Sequence, residues 1–470
     1  MRFVTTRGQA RPVSFKTALF EGLAPDGGLY VPEAIEPWTD AELARLPQRT
    51  LTEIAHRALR PFTRGELDAT VFEAVIVEAL DFPIPLVEVE PRVHALELFH
   101  GPTLAFKDVG ARVMARLMAA MHEGDAPLTV LVATSGDTGG AVAHAFHGVP
   151  YTRVVVLYPD GRVSPTQEAQ LTMFNGERGG NVRAYAVAGS FDDCHRLTRE
   201  AFGDAALRRR IPLTSANSVN VGRLLPQMVY YFHALAQLQT VGANGTPAMG
   251  RVRPALAQHA AGGPVGAERA PASSRVRTSG RGDIVVCTPS GNFGNLTAGL
   301  MAKRAGLAVD KFVAATNVND VVPEYLVTGT FTPRPSMRTI ANAMDVGSPS
   351  NFERMLWLYR GDLGAMRRDI DGSRHDDDEV RTTIRRVYHE RGYLLDPHSA
   401  IGYLGVTGQE GQARIFLATA HPAKFAEIVE PIIGCPIEMP APLARALAQP
   451  RHILQLDASL DALRDVLVSA

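Results

Sequence analysis

Residues 128–146 read LTVLVATSGDTGGAVAHAF, and this stretch decides the fold class. Its first six residues are apolar or β-branched and predict a buried strand, which a glycine-containing turn joins to a helical run at 141–146. Similar short apolar runs follow at 154–158, 182–187, 283–288, 312–316 and 415–419, with helical patterns between them. Strands that alternate with helices predict an α/β fold in which helices flank a parallel sheet.

Other patterns predict how the chain is divided. Residues 1–82 carry two amphipathic stretches and predict a mainly helical N-terminal segment, which ends at the Pro-rich sequence FPIP. Residues 83–470 then form the main α/β region, with a long helix at about 222–238. Between about 240 and 282 Gly, Ala, Pro, Arg and Ser dominate without periodicity, which predicts a disordered insertion.

The composition excludes several classes of function. A formal net charge of -1 gives no electrostatic basis for binding nucleic acid or an anionic membrane. Cys194, Cys287 and Cys435 lie far apart without metal-like spacing, and the acidic run at 376–379 reads as a helix start, so we expect no metal site. The sequence has no signal peptide pattern or membrane-spanning run, and we expect a cytoplasmic protein that is a monomer or small homo-oligomer.

Lys107 is the first candidate for chemistry. It lies in FHGPTLAFKDVG, residues 99–110, just before a run with helical spacing. The positive end of a helix dipole and apolar neighbours both disfavour a charged ammonium group, and the neutral amine is a nucleophile. Most lysines at such junctions are solvated surface groups, so Lys107 needs support from the rest of the chain.

That support comes from three similar strand–loop–helix junctions, at 133–140, 288–295 and 418–425. Loops at the carboxyl ends of parallel strands form the ligand crevice of an open sheet. A glycine loop before a helix offers backbone N–H groups to a phosphate, and SGNFGN at 290–295 suits this role best. A nucleophilic lysine with a separate phosphate loop suggests a phosphorylated aldehyde cofactor held as a Schiff base.

Several motifs resemble those of microbial threonine synthases, which are pyridoxal 5'-phosphate (PLP) enzymes of fold type II. They lie at 28–32, 102–108, 134–139, 217–220 with Arg223, 289–294, 343–347 and 419–425. The resemblance covers nearly the whole chain in one order and breaks only at about 240–282. It implies a fold type II PLP enzyme with parallel or mixed sheets in two lobes. It makes 83–470 the PLP-dependent catalytic region, with the smaller lobe at about 110–238 nested in it.

The resemblance also implies roles for the cofactor side of the site. Lys107 is expected to hold PLP as a Schiff base and then to shuttle protons among the substrate carbons. The loop residues expected to bind the cofactor, mainly its phosphate, are Ser290, Gly291, Asn292, Phe293, Gly294 and Asn295. Thr419 is expected to face the pyridine nitrogen, although a strand-end hydroxyl that bonds its own loop is nearly as plausible.

Asp137 and the substrate contacts are less sharply defined. More distant enzymes of this fold type place an amide at the position of Asp137, near the ring oxygen of the cofactor. A carboxylate there is repulsive unless one group is protonated or a cation intervenes, so Asp137 either contacts the cofactor or caps its helix. The expected substrate contacts are Ser135, Thr138, Asn217, Ser218, Asn220 and Arg223.

The implied reaction converts O-phospho-L-homoserine and water to L-threonine and phosphate, by γ-elimination and β-addition of water, as the last step of threonine biosynthesis. Two alternatives stay open. A PLP-dependent phospho-amino-acid lyase of the same fold would release a keto acid, and a noncatalytic protein on the same sheet would only bind a phosphate ligand. The intact lysine disfavours the second alternative, and the glycine loops lack the three-glycine spacing of dinucleotide-binding enzymes.

Overall fold

The computed structural model describes residues 1–134, 136–244 and 283–469. Strands β1 to β13 are, in chain order, Phe3–Thr5, Tyr30–Pro32, Leu86–Glu90, Val93–Glu97, Leu128–Ala133, Thr152–Pro159, Val182–Val187, Leu213–Ser215, Ile284–Pro289, Lys311–Thr316, Ile370–Arg374, Ala413–Ala418 and Leu454–Leu456. Within these described ranges, no helix is long and apolar enough to cross a membrane.

Helices α1 to α20 are, in chain order, Phe15–Glu21, Asp40–Ala44, Leu51–Thr63, Ala69–Ala79, Lys107–Met121, Asp137–Phe146, Pro165–Thr172, Phe191–Gly203, Ala205–Arg210, Val221–Leu224, Met228–Asn244, Gly294–Arg304, Val321–Thr328, Phe352–Leu358, Leu363–Asp369, Asp377–Arg391, Pro397–Thr407, Ala426–Ile433, Ala441–Ala448 and Leu460–Ser469. Short 3-10 helices lie at Leu46–Gln48, Leu225–Gln227, Asn342–Met344 and Pro422–Phe425.

Two sheets carry the α/β fold. One has the strand order β13-β7-β6-β5-β8 and is parallel throughout. The other has the order β11-β10-β9-β12-β4-β3, and it is parallel except for the antiparallel hairpin of β3 and β4. All the strands predicted from apolar runs are present, which confirms an α/β fold with parallel and mixed sheets.

The central strands are buried on both faces. In β5, Val130 and Val132 pack with α6 in the main core, whereas Leu131 and Ala133 pack in a second core that α8 and α20 line. This two-sided burial is why β5 is a continuous apolar run instead of an alternating one. Helices therefore cover both faces of the sheet, so a ligand would bind at the ends of its strands.

Three boundaries differ from the predictions. The N-terminal segment contains helices α1 to α4 but also a β1–β2 ribbon, in which Phe3 lies opposite Pro32. The helix predicted at 222–238 is broken by a 3-10 turn that contains Pro226, because proline lacks the N–H that a continuous helix needs. Helix α11 then runs to Asn244, so 240–244 is helical, and the rest of the predicted insertion lies outside the described residues.

The sheet of the smaller lobe also takes a strand from outside the predicted range. Strand β13, Leu454–Leu456, pairs in parallel with β7, so the C-terminal residues complete a sheet that otherwise lies within 110–238. A run of three residues is too short to give a periodic signal in the sequence.

Arg354 links the N-terminal segment to the loop after β8. Its guanidinium group is fully buried and donates to the carbonyls of Tyr30 (3.1 Å), Ser218 (3.1 Å) and Val219 (2.6 Å) and to Asn351 Oδ1 (2.6 Å). Burial lowers its pKa to about 9, which leaves it charged at neutral pH. The loop that begins after β8 is therefore held in place by a charged anchor.

We predict that Arg354→Met lowers the free energy of unfolding by about 2–4 kcal/mol, because several buried carbonyls lose a charged donor. The midpoint of urea unfolding measures this change. The control is Arg368→Met on the exposed face of α15, which should shift stability by less than about 0.5 kcal/mol. Equal midpoints for the two variants would show that Arg354 is not an anchor.

Candidate active site

The predicted junctions all follow the carboxyl ends of parallel strands. Helix α6 follows β5, the glycine loop at 290–295 follows β9, and the 3-10 helix Pro422–Phe425 follows β12. Strands β9 and β12 are neighbours in the sheet, so two of these junctions begin at strand ends about 5 Å apart.

Lys107 is fixed at the first residue of α5. The segment before it is held by Asp108, whose carboxylate accepts from Thr103 N–H (2.9 Å) and from the Thr103 hydroxyl (2.6 Å). Burial raises the pKa of Asp108 to about 6 although these bonds oppose the shift. The N–H of Phe106 also donates to Thr419 O at 2.9 Å, so the lysine segment lies against the end of β12.

Asp137 bridges two lysines. Its Oδ2 lies 3.6 Å from Lys107 Nζ, and its Oδ1 lies 2.8 Å from Lys424 Nζ. The three side chains are 12%, 4% and 0% exposed for Lys107, Asp137 and Lys424 respectively. Asp137 begins α6, but its side chain makes no capping hydrogen bond, so the expectation of a helix cap does not describe its contacts.

Burial and the charges of this cluster shift the pKa values of both Lys107 and Asp137. Burial lowers the pKa of Lys107 to about 8, an effect that Asp137 opposes and that Arg223 and Lys424 reinforce. Burial would raise the pKa of Asp137, but the positive charges of Lys424 and Lys107 outweigh it and hold that pKa below its usual range. Asp137 is therefore ionised, and Lys107 loses its proton far more readily than an ordinary lysine, with most of it still protonated at pH 7.

Lys424 is the site residue that the sequence analysis missed. It lies in the 419–425 motif, yet no role was assigned to it. The sequence offered one signal, a lysine between Ala423 and Phe425 in an apolar strand–helix junction. It is also the cation that a carboxylate at position 137 was expected to need.

The glycine loop presents a row of unused donors. Among the described residues, no acceptor lies within hydrogen-bond distance of the backbone N–H groups of Gly291, Asn292, Phe293, Gly294 and Asn295. Phe293 has a φ of +58°, in the left-handed region, and so turns the chain directly before α12. A Cβ on Gly291 would lie 2.8 Å from both Ala343 O and Met344 Cα, so the loop tolerates no side chain there. This concave row of N–H groups fits a phosphate.

The polar side chains of this loop make hydrogen bonds to protein groups that fix the conformation of the loop. Asn292 Nδ2 donates to Ser218 Oγ at 2.7 Å. Asn295 Oδ1 accepts from the hydroxyls of Tyr230 (2.8 Å) and Tyr231 (2.6 Å). Ser290 Oγ donates to the carbonyl of Thr288 at 2.9 Å. Most of the unused donors of this loop are therefore backbone N–H groups, and Asn295 Nδ2 is a further buried donor without a partner among the described residues.

Thr419 lies at the carboxyl end of β12, buried to 5% exposure. Its carbonyl accepts from the Phe106 N–H, but among the described residues its hydroxyl makes no bond to its own loop. The hydroxyl is thus available to a ligand held beside Lys107.

Two of the expected substrate contacts are held by other groups or are not described. Ser135 lies outside the described residues. Asn220 is fully buried and donates to Leu19 O (2.8 Å) and Ser215 O (3.0 Å), so it holds the loop after β8.

The remaining candidates are Thr138, Asn217, Ser218 and Arg223. Thr138 is half-buried near the start of α6, and Ser218 Oγ accepts from Asn292 and from Asn351 (3.2 Å). Asn217 Nδ2 donates to Ala133 O at 3.1 Å, while its buried Oδ1 has no partner among the described residues.

Arg223 is a buried cation without a carboxylate. It is 4% exposed, and its only described side-chain bond is from Nη1 to Ala216 O at 2.8 Å. Burial lowers its pKa to about 10, so it stays charged at neutral pH. No group of three or more His, Cys, Asp and Glu within the described ranges could hold a metal ion. An anion is therefore the natural ligand of this part of the site.

Comparison with known proteins identifies the family. The chain is 41% identical to the threonine synthase of Haemophilus influenzae, over 97% of each chain, and 38% identical to that of Escherichia coli, over 100% of each. The chain belongs to the threonine synthase family. Family models for the threonine synthase N terminus and C-terminal region match residues 2–80 and 399–467.

Solved structures of the family share the fold along the whole chain. The Escherichia coli threonine synthase has a TM-score of 0.85 at 37% identity and covers 100% of both chains. A PLP-bound threonine synthase from Brucella melitensis has a TM-score of 0.85 at 34% identity, covering 100% of this chain and 99% of that one. These matches confirm the resemblance and the fold type II prediction.

The burial and the neighbouring charges of Lys107 predict that its pKa lies below that of an ordinary lysine in the cofactor-free, full-length protein. A small aldehyde with cyanoborohydride should label Lys107 half-maximally near pH 8, because the neutral amine forms as pH rises through that pKa. Ordinary lysines reach this point near pH 10.4. Peptide mass spectrometry over a pH series measures the labelled fraction, and a Lys107 profile that matches the average lysine would contradict the prediction.

Proposed function

We propose that this chain uses PLP to convert O-phospho-L-homoserine and water to L-threonine and phosphate. The observation that carries the proposal is the pairing of a buried Lys107, whose pKa is lowered to about 8, with the row of unused N–H groups at 291–295. The family membership and the PLP-bound relative support it. A lysine at one end and an anion cradle at the other match an aldehyde and a phosphate on one cofactor.

The residues fit PLP without any rearrangement of their own contacts. Lys107 would attach the aldehyde carbon, the N–H groups of Gly291 to Asn295 would take the phosphate, and the Thr419 hydroxyl would meet the ring nitrogen. Asp137 and Lys424 would lie at the lysine end as a neutral pair. When bound, PLP supplies an electron sink for negative charge that forms on the substrate carbons.

Lys107 would also move protons. Once the substrate amine takes its place, the Lys107 amine is free, and its pKa of about 8 lies close to neutral pH. A group with such a pKa can both accept and donate a proton in one cycle. Its position at the start of a rigid helix keeps the amine near the carbon that reacts.

Arg223 would hold an anion of the substrate. A buried charge without a carboxylate partner is costly, and a phosphate or carboxylate of the substrate would offset that cost. A guanidinium group also binds phosphate by two parallel hydrogen bonds. Ser135, Thr138, Asn217 and Ser218 would add hydroxyl and amide contacts, while Asn220 would position the loop that carries two of them.

The test is incubation of the purified protein with O-phospho-L-homoserine and analysis of all products. We expect L-threonine and phosphate in equal amounts, and Lys107→Ala should lower the rate by at least about 10²–10⁴-fold because it loses the proton-transfer group. Ammonia and a 2-oxo acid would identify the lyase instead. Binding of the substrate without any product would identify the noncatalytic alternative.

The loop at 291–295 gives a second prediction. Gly291→Ala should weaken PLP binding about tenfold or more, because the added Cβ would lie 2.8 Å from Ala343 O and push the loop away. Gly408→Ala is the control, since a Cβ there meets nothing within 4 Å. Titration of each variant with PLP by absorbance gives the dissociation constants, and equal values would remove the loop from the cofactor site.

A further inference from the structure

Lys424 is completely buried and joins two parts of the site. Its Nζ donates to Thr103 O at 2.9 Å, in the segment that leads to Lys107, and it lies 2.8 Å from Asp137 Oδ1 at the start of α6. Burying an ammonium group is costly unless it is paired and hydrogen-bonded, and both contacts meet that need. The reaction proposed above gives this lysine no task.

The cluster contains more positive groups than negative ones. Lys107 and Lys424 share the carboxylate of Asp137, and Arg223 adds a third positive charge that acts on Lys107. Arg223 keeps its proton under all ordinary conditions, and Lys424 uses its protons in two short contacts. Among the described residues, Lys107 Nζ has one ion pair, a long one of 3.6 Å to the carboxylate, and it lies 5.6 Å from the centre of the Phe106 ring. Of these three cations, Lys107 is therefore the one that loses a proton most readily.

Two other titratable groups near the cluster have partners of their own. Asp108, on α5, accepts from both donors of Thr103. His398, on α17, has its Nδ1 2.6 Å from Asp396, and its Nε2 accepts from the N–H of Ala343.

We propose that Lys424 is a positioning residue of the active site, which draws the Asp137 carboxylate to itself and so leaves Lys107 without a close counter-ion, free to lose a proton and attack an aldehyde. The distances support this, because Asp137 lies nearer to Lys424 than to Lys107. Without Lys424, the only ammonium group left in ion-pair range of Asp137 would be Lys107. The inference deepens the proposed function by explaining how its nucleophile is prepared.

The test compares the pH dependence of Lys107 labelling in cofactor-free, full-length variants. Lys424→Met should move the labelling midpoint upward by about one pH unit or more, because Asp137 then favours the charged form of Lys107. At pH 8 a one-unit shift should lower the labelling rate about fivefold, and a larger shift should lower it further. The double variant Lys424→Met/Asp137→Asn, which removes both charges, should return the midpoint to the wild-type value or below.

The matched control is Lys303→Met. Lys303 also contacts one carboxylate, Asp369 (2.7 Å), and one carbonyl, Asp310 (2.9 Å), but it lies in the last turn of α12. Its loss should leave the Lys107 midpoint unchanged. If Lys424→Met does not fold, Asp137→Asn alone decides the question, because removal of the carboxylate should lower the midpoint.

An unchanged midpoint in Lys424→Met, or in Asp137→Asn where only that variant folds, would overturn the proposal and leave Lys424 as a packing residue. Labelling requires no turnover, so the result is independent of whether the protein makes threonine. A protein that shows the shift but no threonine would retain the role of Lys424 and lose the proposed reaction.

Discussion

The ionised carboxylate of Asp137, buried between two lysines, is the interaction on which the site depends. Asp137 begins the helix that follows β5 in the five-stranded sheet, whereas Lys424 follows β12 in the six-stranded sheet and Lys107 lies against the end of that strand. The ion cluster therefore joins the two sheets at the crevice between them. A buried charge that loses its partner costs several kcal/mol. The stability of the fold and the protonation state of Lys107 are therefore linked.

The same principle organises the loops around the cluster. Buried polar groups are used to hold backbone: Arg354 binds three carbonyls, Asn220 binds two, and Asp108 holds Thr103. In the described ranges, these contacts leave the backbone N–H groups at 291–295 without protein partners, and the guanidinium of Arg223 has a single one, the carbonyl of Ala216. Buried polar side chains that hold the backbone thus surround a few donors that have spare hydrogen-bonding capacity. These donors are where an anion would bind.

Local sequence patterns predicted the strands and Lys107 well, because β-branched runs buried on both faces and a lysine before a helical run are local features. The strand at 128–133 has the predicted bounds, and a helix starts within the acidic run at 376–379 as predicted. Other features depend on distant partners. Strand β13 forms only against β7, and Lys424 meets Asp137 across 287 positions of sequence, the difference of the two residue numbers. The directions of Asn292 and Asn295 depend on Ser218 and on Tyr230, which no local pattern reveals.

The most direct test of this account asks which lysine carries the cofactor. Two buried lysines, Lys107 and Lys424, lie on either side of one carboxylate, and only the first is expected to react. Borohydride reduction of the PLP-loaded protein, followed by proteolysis and mass spectrometry, locates the attached group. The account predicts a phosphopyridoxyl group on Lys107 and none on Lys424; a group found on Lys424, or on neither lysine, would contradict it.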